Sequence, residues 1–298
     1  MFPMIMLNTS MAKSTNNKMN KTIINIAKSF VFIPFLIGCE TDGSSELELT
    51  VESGYVSNIV DIESITSNTI MLIDEFMRDS TIQATGTSTL YNDIIGELST
   101  NNLTITYGKQ GAGTTNPDGT FRRGKITASF QSGQYQTTGS VVDVNFSEFR
   151  IQNKRMNGSL RLTNKGLLPN GHEFEIELDS LSLDSNHLSY KRYLIHSTPF
   201  TPLVPLERIV LINSIDTGKY YDHQTGMQSS LLLITPISWD ETCQYRITDG
   251  VMDVVPDSTL AGTDKIIIDY IGDSDCANLV RGYSEAKDQY FFLPKRGF

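Results

Sequence analysis

The sequence predicts a mainly β protein, an antiparallel meander forming a sandwich or open curved sheet, with one N-terminal helix. Three observations predict it. From Asn101 onward apolar residues alternate with polar ones, the period of strands with one dry and one wet face. Turn-forming clusters separate these runs at short intervals. Only around Ile70–Met77 do apolar residues fall at helical spacing.

That helix comes first among the convincing elements. Thr66 or Ser67 is placed to cap it, and Ile70, Ile73, Phe76 and Met77 share the face that packs. Ahead of it, residues 39–60 read as an acidic tether, because 40–57 are weakly apolar and rich in Ser, Thr and Glu. The domain proper is expected over 61–298 as one unit; a division near residue 200 is the alternative.

Strands follow in order. Leu103, Ile105 and Tyr107 alternate with threonines; Ile126, Ala128 and Phe130 alternate with polar residues, as do Val142, Val144 and Phe146. The phase then slips to Phe149 and Ile151, which a β-bulge near Ser147-Glu148 would absorb. Leu160 and Leu162 continue, and Phe174, Ile176 and Leu178 alternate with a stripe of Glu173, Glu175 and Glu177. Asn116-Pro117-Asp118-Gly119, Gln131-Ser132-Gly133, Asn157-Gly158 and Asn170-Gly171 are the predicted turns. Further strands are expected at Ile209–Ile215, Leu231–Ile234, Tyr245–Ile247, Met252–Val255 and Ile266–Tyr270. Thr198–Pro205, with three prolines, reads as an irregular crossing.

The start of the chain carries an address. The apolar run Phe30–Ile37 has Lys21 and Lys28 on its amino side and the small residue Gly38 after it, the layout of a secretory signal. Ile23–Ile37 is shorter than the roughly 20 apolar residues of a spanning helix. Leu36-Ile37-Gly38-Cys39 resembles the bacterial lipobox. That resemblance implies cleavage between Gly38 and Cys39, diacylglycerol on the Cys39 sulfur and further acylation, hence a stable membrane anchor. Glu40, rather than Asp, after the cysteine leans toward the outer membrane by the sorting rules of such lipoproteins. The acids just beyond are similar to a weak surface-export signal of Bacteroidota. Met19 reads as the natural initiator, 19–38 as the signal peptide and 1–18 as a gene-start artefact.

Charge and cysteines narrow the classes. The net charge is −10, and the four lysines of residues 1–38 have no acid among them, so Cys39–Phe298 is more acidic still. This argues against nucleic acid as a partner. Of three cysteines, lipidation uses Cys39 and leaves Cys243 and Cys276, an even pair in an oxidising envelope, expected as a disulfide. Two buried free thiols are the rival.

Two groups of motifs, in order, resemble uncharacterised β-rich lipoproteins of Bacteroidota over roughly residues 101–282. The first runs from Asn116–Lys125 through Gly139–Val142 and Val144–Phe146 to Asn157-Gly158 and Leu162–Lys165. The second holds Gly218, Gly226, Ile234–Ile237, Cys243, Asp269–Asp273 and Asp275-Cys276. The resemblance implies an envelope lipoprotein and carries no activity. A cysteine associated with the loop before the Pro-Asp-Gly turn is missing here, where Gly111–Thr114 stands.

No motif selects a catalytic centre, a cofactor or a metal. Arg122, Arg123, Lys125, Lys154, Arg155 and Arg161 could grip an anionic glycan or phosphate, but pairing with acids across strands is the simpler reading. Asp264, Asp269, Asp273 and Asp275 lack the spacing of a calcium loop. His172, His187, His196 and His223 form no metal pair, and neither a G-x-S-x-G elbow nor a phosphate loop occurs. Trp239 is the sole tryptophan; Tyr190, Tyr193, Tyr220 and Tyr221 could replace it in a sugar platform, or simply cover the sheet. The expectation is a non-enzymatic, lipid-anchored outer-membrane protein with a structural or interaction role and an envelope protein or glycan as its partner. The alternatives are a small apolar or glycan ligand in a concave sheet, or an envelope glycan hydrolase.

Overall fold

The structure is a computed structural model, and its described residues are 43–91, 93–116, 120–132, 135–168, 171–196, 209–214, 217–240, 243, 246–257, 265–271 and 279–294. Helices α1 (Gly43–Arg78) and α2 (Ser80–Thr85) come first. Then come β1 (Thr87–Leu90), β2 (Ile94–Leu98), β3 (Asn102–Tyr107), β4 (Thr114–Thr115), β5 (Phe121–Ser132), β6 (Val141–Ile151), β7 (Lys154–Leu168) and β8 (Gly171–Leu183). The second half adds β9 (Asn186–His196), β10 (Ile209–Ser214), β11 (Gly218–Asp222), β12 (Met227–Asp240), β13 (Arg246–Pro256), β14 (Ile266–Asp269), β15 (Leu279–Ser284) and β16 (Gln289–Pro294).

All of these strands belong to one open sheet in nearly sequential order, with β1 at one end and β16 at the other. Neighbours pair antiparallel throughout, as the clean alternation demands. Leu103, Ile105, Ile126, Ala128, Val142 and Val144 are buried on the inner face; each Leu, Ile or Val contributes about 1.5–3 kcal/mol and the Ala128 methyl about 0.8 kcal/mol. The fold is therefore mainly β, antiparallel and open, with the helical part at the amino end.

Helix α1 lies inside the curl of this sheet. It touches β8, β9, β13, β15 and β16, and Phe76 packs its ring on Gly96 of β2. Residues 59–74 are buried without interruption, so no helical face meets water. Thr66 and Ser67 are not caps. They lie within the helix, and their hydroxyls donate to the carbonyls of Ile62 and Glu63 at 2.8 and 2.7 Å. The tether expected over 39–60 is helical from Gly43, and Tyr55, Val56, Ile59 and Val60 belong to the core. The helix stops where Asp79 takes an extended conformation and accepts a hydrogen bond from Thr81 N at 2.7 Å, capping α2.

Bulges supply the curvature. The slip expected near Ser147-Glu148 is present: Glu148 has φ +53° and the β6/β7 register shifts between Asn145 and Arg150. It is one of a series. Register also shifts at Gly124 between β5 and β6, at Gly158 between β7 and β8, and between Leu178 and Leu181 across β8 and β9, where Ser180 has φ +51°. Bulges bend a strand and raise its twist, so a series across adjacent strands curls the sheet. Asn157-Gly158 is thus a bulge inside β7 rather than a turn, because Gly158 at φ +102° lies against the Ser180 carbonyl.

Strands pair on both sides of two other expected turns, whereas Gln131 and Ser132 end strand β5 and Gly133 lies outside the described residues. The β4/β5 pairing closes a hairpin over Asn116-Pro117-Asp118-Gly119, and Leu168 pairs with Gly171 across Asn170. Tyr245–Ile247 and Met252–Val255 prove to be parts of one strand, β13, as far as they are described. Strands β1, β2, β4, β9, β11, β15 and β16 were not expected. Thr198–Pro205 lies outside the described residues.

Candidate functional site

Gly38, Cys39 and Cys276 lie outside the described residues; Cys243 is buried, 4% exposed. No helix among the described residues is long and apolar enough to cross a membrane.

Part of the basic cluster of the sequence is taken up by partners within the protein, while Arg123 and Lys125 are exposed on β5. Arg122 points inward and is 2% exposed. Arg161 donates to Asp143, its register partner, at 2.7 Å, and that bond raises its pKa. Arg155 meets Glu148 at 2.9 Å, and Lys154 reaches Asn58 and Asp61 of α1 at 2.9 and 3.3 Å. The glutamate stripe engages other cations: Glu175 takes Lys191 at 2.8 Å and Lys165 at 3.4 Å. The Lys191 bond, outweighing burial, holds its carboxyl below the usual range. Asp269 is bound to Arg281 across β14 and β15; Asp264, Asp273 and Asp275 lie outside the described residues. Among the described residues no cluster of His, Cys, Asp or Glu is arranged to hold a metal.

A different place stands out, where β11 bridges β9 and β12. β10 pairs both of these strands at one end, and β11 pairs both at the other. The register across β9, β11 and β12 fixes three rows. Leu188, Tyr220 and Ser229 form an inner row. His187, Tyr221 and Gln228 form one outer row, and Ser189, Lys219 and Ser230 form the next.

The inner row is tied to α1. Tyr55 donates to the Ser229 hydroxyl, and its ring stands edge-on to Tyr220 at 4.8 Å. Burial pushes both phenols well above their ordinary range, so both remain protonated. About two turns further along α1, Tyr190 of β9 donates to Glu63 Oε2 at 3.1 Å. Of the tyrosines proposed for a platform, Tyr190 and Tyr220 therefore serve the helix.

The outer rows line a cleft of about 550 Å³. Its aromatic part is His187 and Tyr221, with centroids 6.2 Å apart; His223, outside the lining, stands 6.4 Å from Tyr221. The hairpin that carries Tyr221 and His223 is fixed locally. Asp222 accepts from Gln224 N at 2.9 Å, His223 N donates to Asn186 at 3.0 Å, and Gly226 takes φ +69°. Beside the rings, Ser230 donates to Asp257 at 2.7 Å, and Lys219 donates to Ser230 at 2.7 Å and to Asp257 at 3.1 Å. The Ser230 bond, then Lys219, lowers the Asp257 pKa, so this trio is a closed, neutralised ring of partners. Across the cleft the bulged Ser180 donates its N–H to Ser189 Oγ at 3.0 Å, which sets that hydroxyl at the rim.

The sequence singles out Tyr221 as a platform candidate and His187 only as a histidine without a metal partner; Ser189 and Gln228 are not singled out, and all three meet Tyr221 only through the strand register. Gly218-Lys-Tyr-Tyr-Asp222 before the Gly226 turn was the available signal. No family model matches the chain, and neither a curated protein nor a solved structure matches it.

Proposed function

We propose that this chain is a lipid-anchored protein of the bacterial outer membrane, non-enzymatic, whose sheet presents an outward binding face. Cleavage after Gly38, lipid on Cys39 and a Cys243–Cys276 disulfide complete the proposal. One observation carries the binding-face reading: residues 59–74 of α1 are buried without a break inside the curled sheet. The concave side is thus filled by the protein's own helix, which counts against a ligand held there. Interaction then falls to the outer face, where the β9–β11–β12 cleft lies. That cleft offers one carboxylate, Asp257, already bound by Lys219 and Ser230; glycoside hydrolysis commonly uses two facing carboxyl groups.

The anchor is tested by radiolabelled palmitate and by the Cys39→Ser variant in cells of the native host. Label in the wild-type protein, with loss of both label and membrane fractionation in the variant, is the expected result. An unlabelled protein, or a variant that stays membrane-bound, rejects the anchor.

A further inference from the structure

We infer that the β9–β11–β12 cleft binds neutral saccharide chains, with a sugar ring stacked on Tyr221. This inference rests on the reading of the outer face as a binding face and adds the ligand class. The cleft combines two kinds of surface side by side. The His187 and Tyr221 rings line it with centroids 6.2 Å apart and planes tilted by 31°, and His223, outside the lining, stands 6.4 Å from Tyr221. Next to them stand small polar groups that can both give and take hydrogen bonds: the hydroxyls of Ser180 and Ser189 and the Gln228 amide.

A pyranose has the matching chemistry. Its C–H face is apolar and suits the negative face of an aromatic ring, while its rim carries hydroxyls that are donors and acceptors at once. Other ligand classes fit less well. Polyanions are opposed by the net charge of −10, and the cleft's one cation, Lys219, is already bonded to Asp257 and Ser230. An apolar ligand or a hydrophobic peptide anchor would require an aliphatic pocket, whereas Ser, Gln, His and Tyr line this one. The volume, about 550 Å³, falls within the roughly 300–1,000 Å³ of small-ligand sites. Placement is rigid, too. Tyr221 sits between two partner strands, and its neighbour Tyr220 is packed on Tyr55 of α1, so the backbone that carries the ring is held before any ligand arrives.

The test is calorimetric titration of the purified full chain with neutral tetrasaccharides built from glucose, mannose, galactose, xylose and N-acetylglucosamine. At least one is expected to bind, with affinity reduced tenfold or more in Tyr221→Ala and His187→Ala and kept in Tyr221→Phe. Tyr290→Ala, which removes a 58% exposed aromatic on β16, should leave binding unchanged. Equal urea midpoints for the variants separate lost contact from lost fold. Binding of none of the five, or binding indifferent to Tyr221→Ala and His187→Ala in folded protein, overturns the inference. Because the titration uses protein in solution, it is independent of the palmitate result, and either can fail alone.

Discussion

Tyr190 and Glu63 meet inside the protein, the β9 phenol donating to the α1 carboxylate at 3.1 Å across 127 positions of sequence. Both are nearly inaccessible, at 4% and 1% exposure. A polar helix can occupy a sheet's interior only where strands return hydrogen bonds to it, and this bond is one of them. Tyr190→Phe keeps the ring and deletes the donor. It should lower stability by about 1–3 kcal/mol, read as a fall in the urea midpoint with unchanged slope. An unchanged midpoint would show that the bond is dispensable to the helix.

Bulge glycines hold the curl, which gives a second test. Gly124 at φ +95° lies against the Glu148 carbonyl, and an added Cβ there would collide with that backbone. At Gly158 the Cβ would come within 2.7 Å of the Ser180 oxygen. Alanine at either position meets both an unfavourable φ and a rigid neighbour, so each should cost about 1–3 kcal/mol or more. Gly139 has φ +84° with open space around it, so Gly139→Ala should cost less than either. Three urea curves compare them. Equal losses at all three would mean that φ alone, and not the bulge contact, sets the cost.

Alternation made the sheet legible. Leu103, Ile105, Ile126, Ala128, Val142 and Val144 announce their inner face because their neighbours are wet. The slip between Phe146 and Phe149 even located a bulge. The helix was legible only at its end. Between Asp61 and Thr69 the buried residues are mostly Asp, Glu, Ser, Thr and Asn, so no apolar stripe betrays a helix that is covered on every side. Strand β15 hid for a related reason: its inward positions are Val280, Gly282 and Ser284, and Gly282 makes room for the Phe291 ring. The cleft was the least legible of all. His187 and Tyr221 become neighbours only when β11 is set between β9 and β12, and spacing along the chain contains no trace of that register.

Cysteine pairing makes a third prediction. If Cys243 and Cys276 are joined, thiol labelling of the unreduced, denatured chain should find neither, and reduction should release two. Closing that loop is worth about 3–4 kcal/mol on the chain-entropy model, so reductant should lower the unfolding midpoint. Two thiols labelled without reductant would instead favour the free, buried pair.

The last prediction concerns acid. His172 lies half-buried on β8, and burial, followed by the positive charge of Arg78, lowers its pKa from 6.5, while Asp74 opposes them in part. In the unfolded chain the imidazole returns to its ordinary value. Between the two values the unfolded state therefore binds the extra proton, and stability falls as pH drops through the usual histidine range toward the lowered folded value. Above that range the group makes no difference; below the folded value its penalty is complete and constant. His172→Gln, which cannot take up that proton, should lose less stability than wild type between about pH 7.5 and 5. Urea midpoints at a series of pH values measure the two slopes. Parallel curves would mean that the imidazole gains its proton as readily in the folded protein as outside it, with burial and Arg78 fully offset by Asp74.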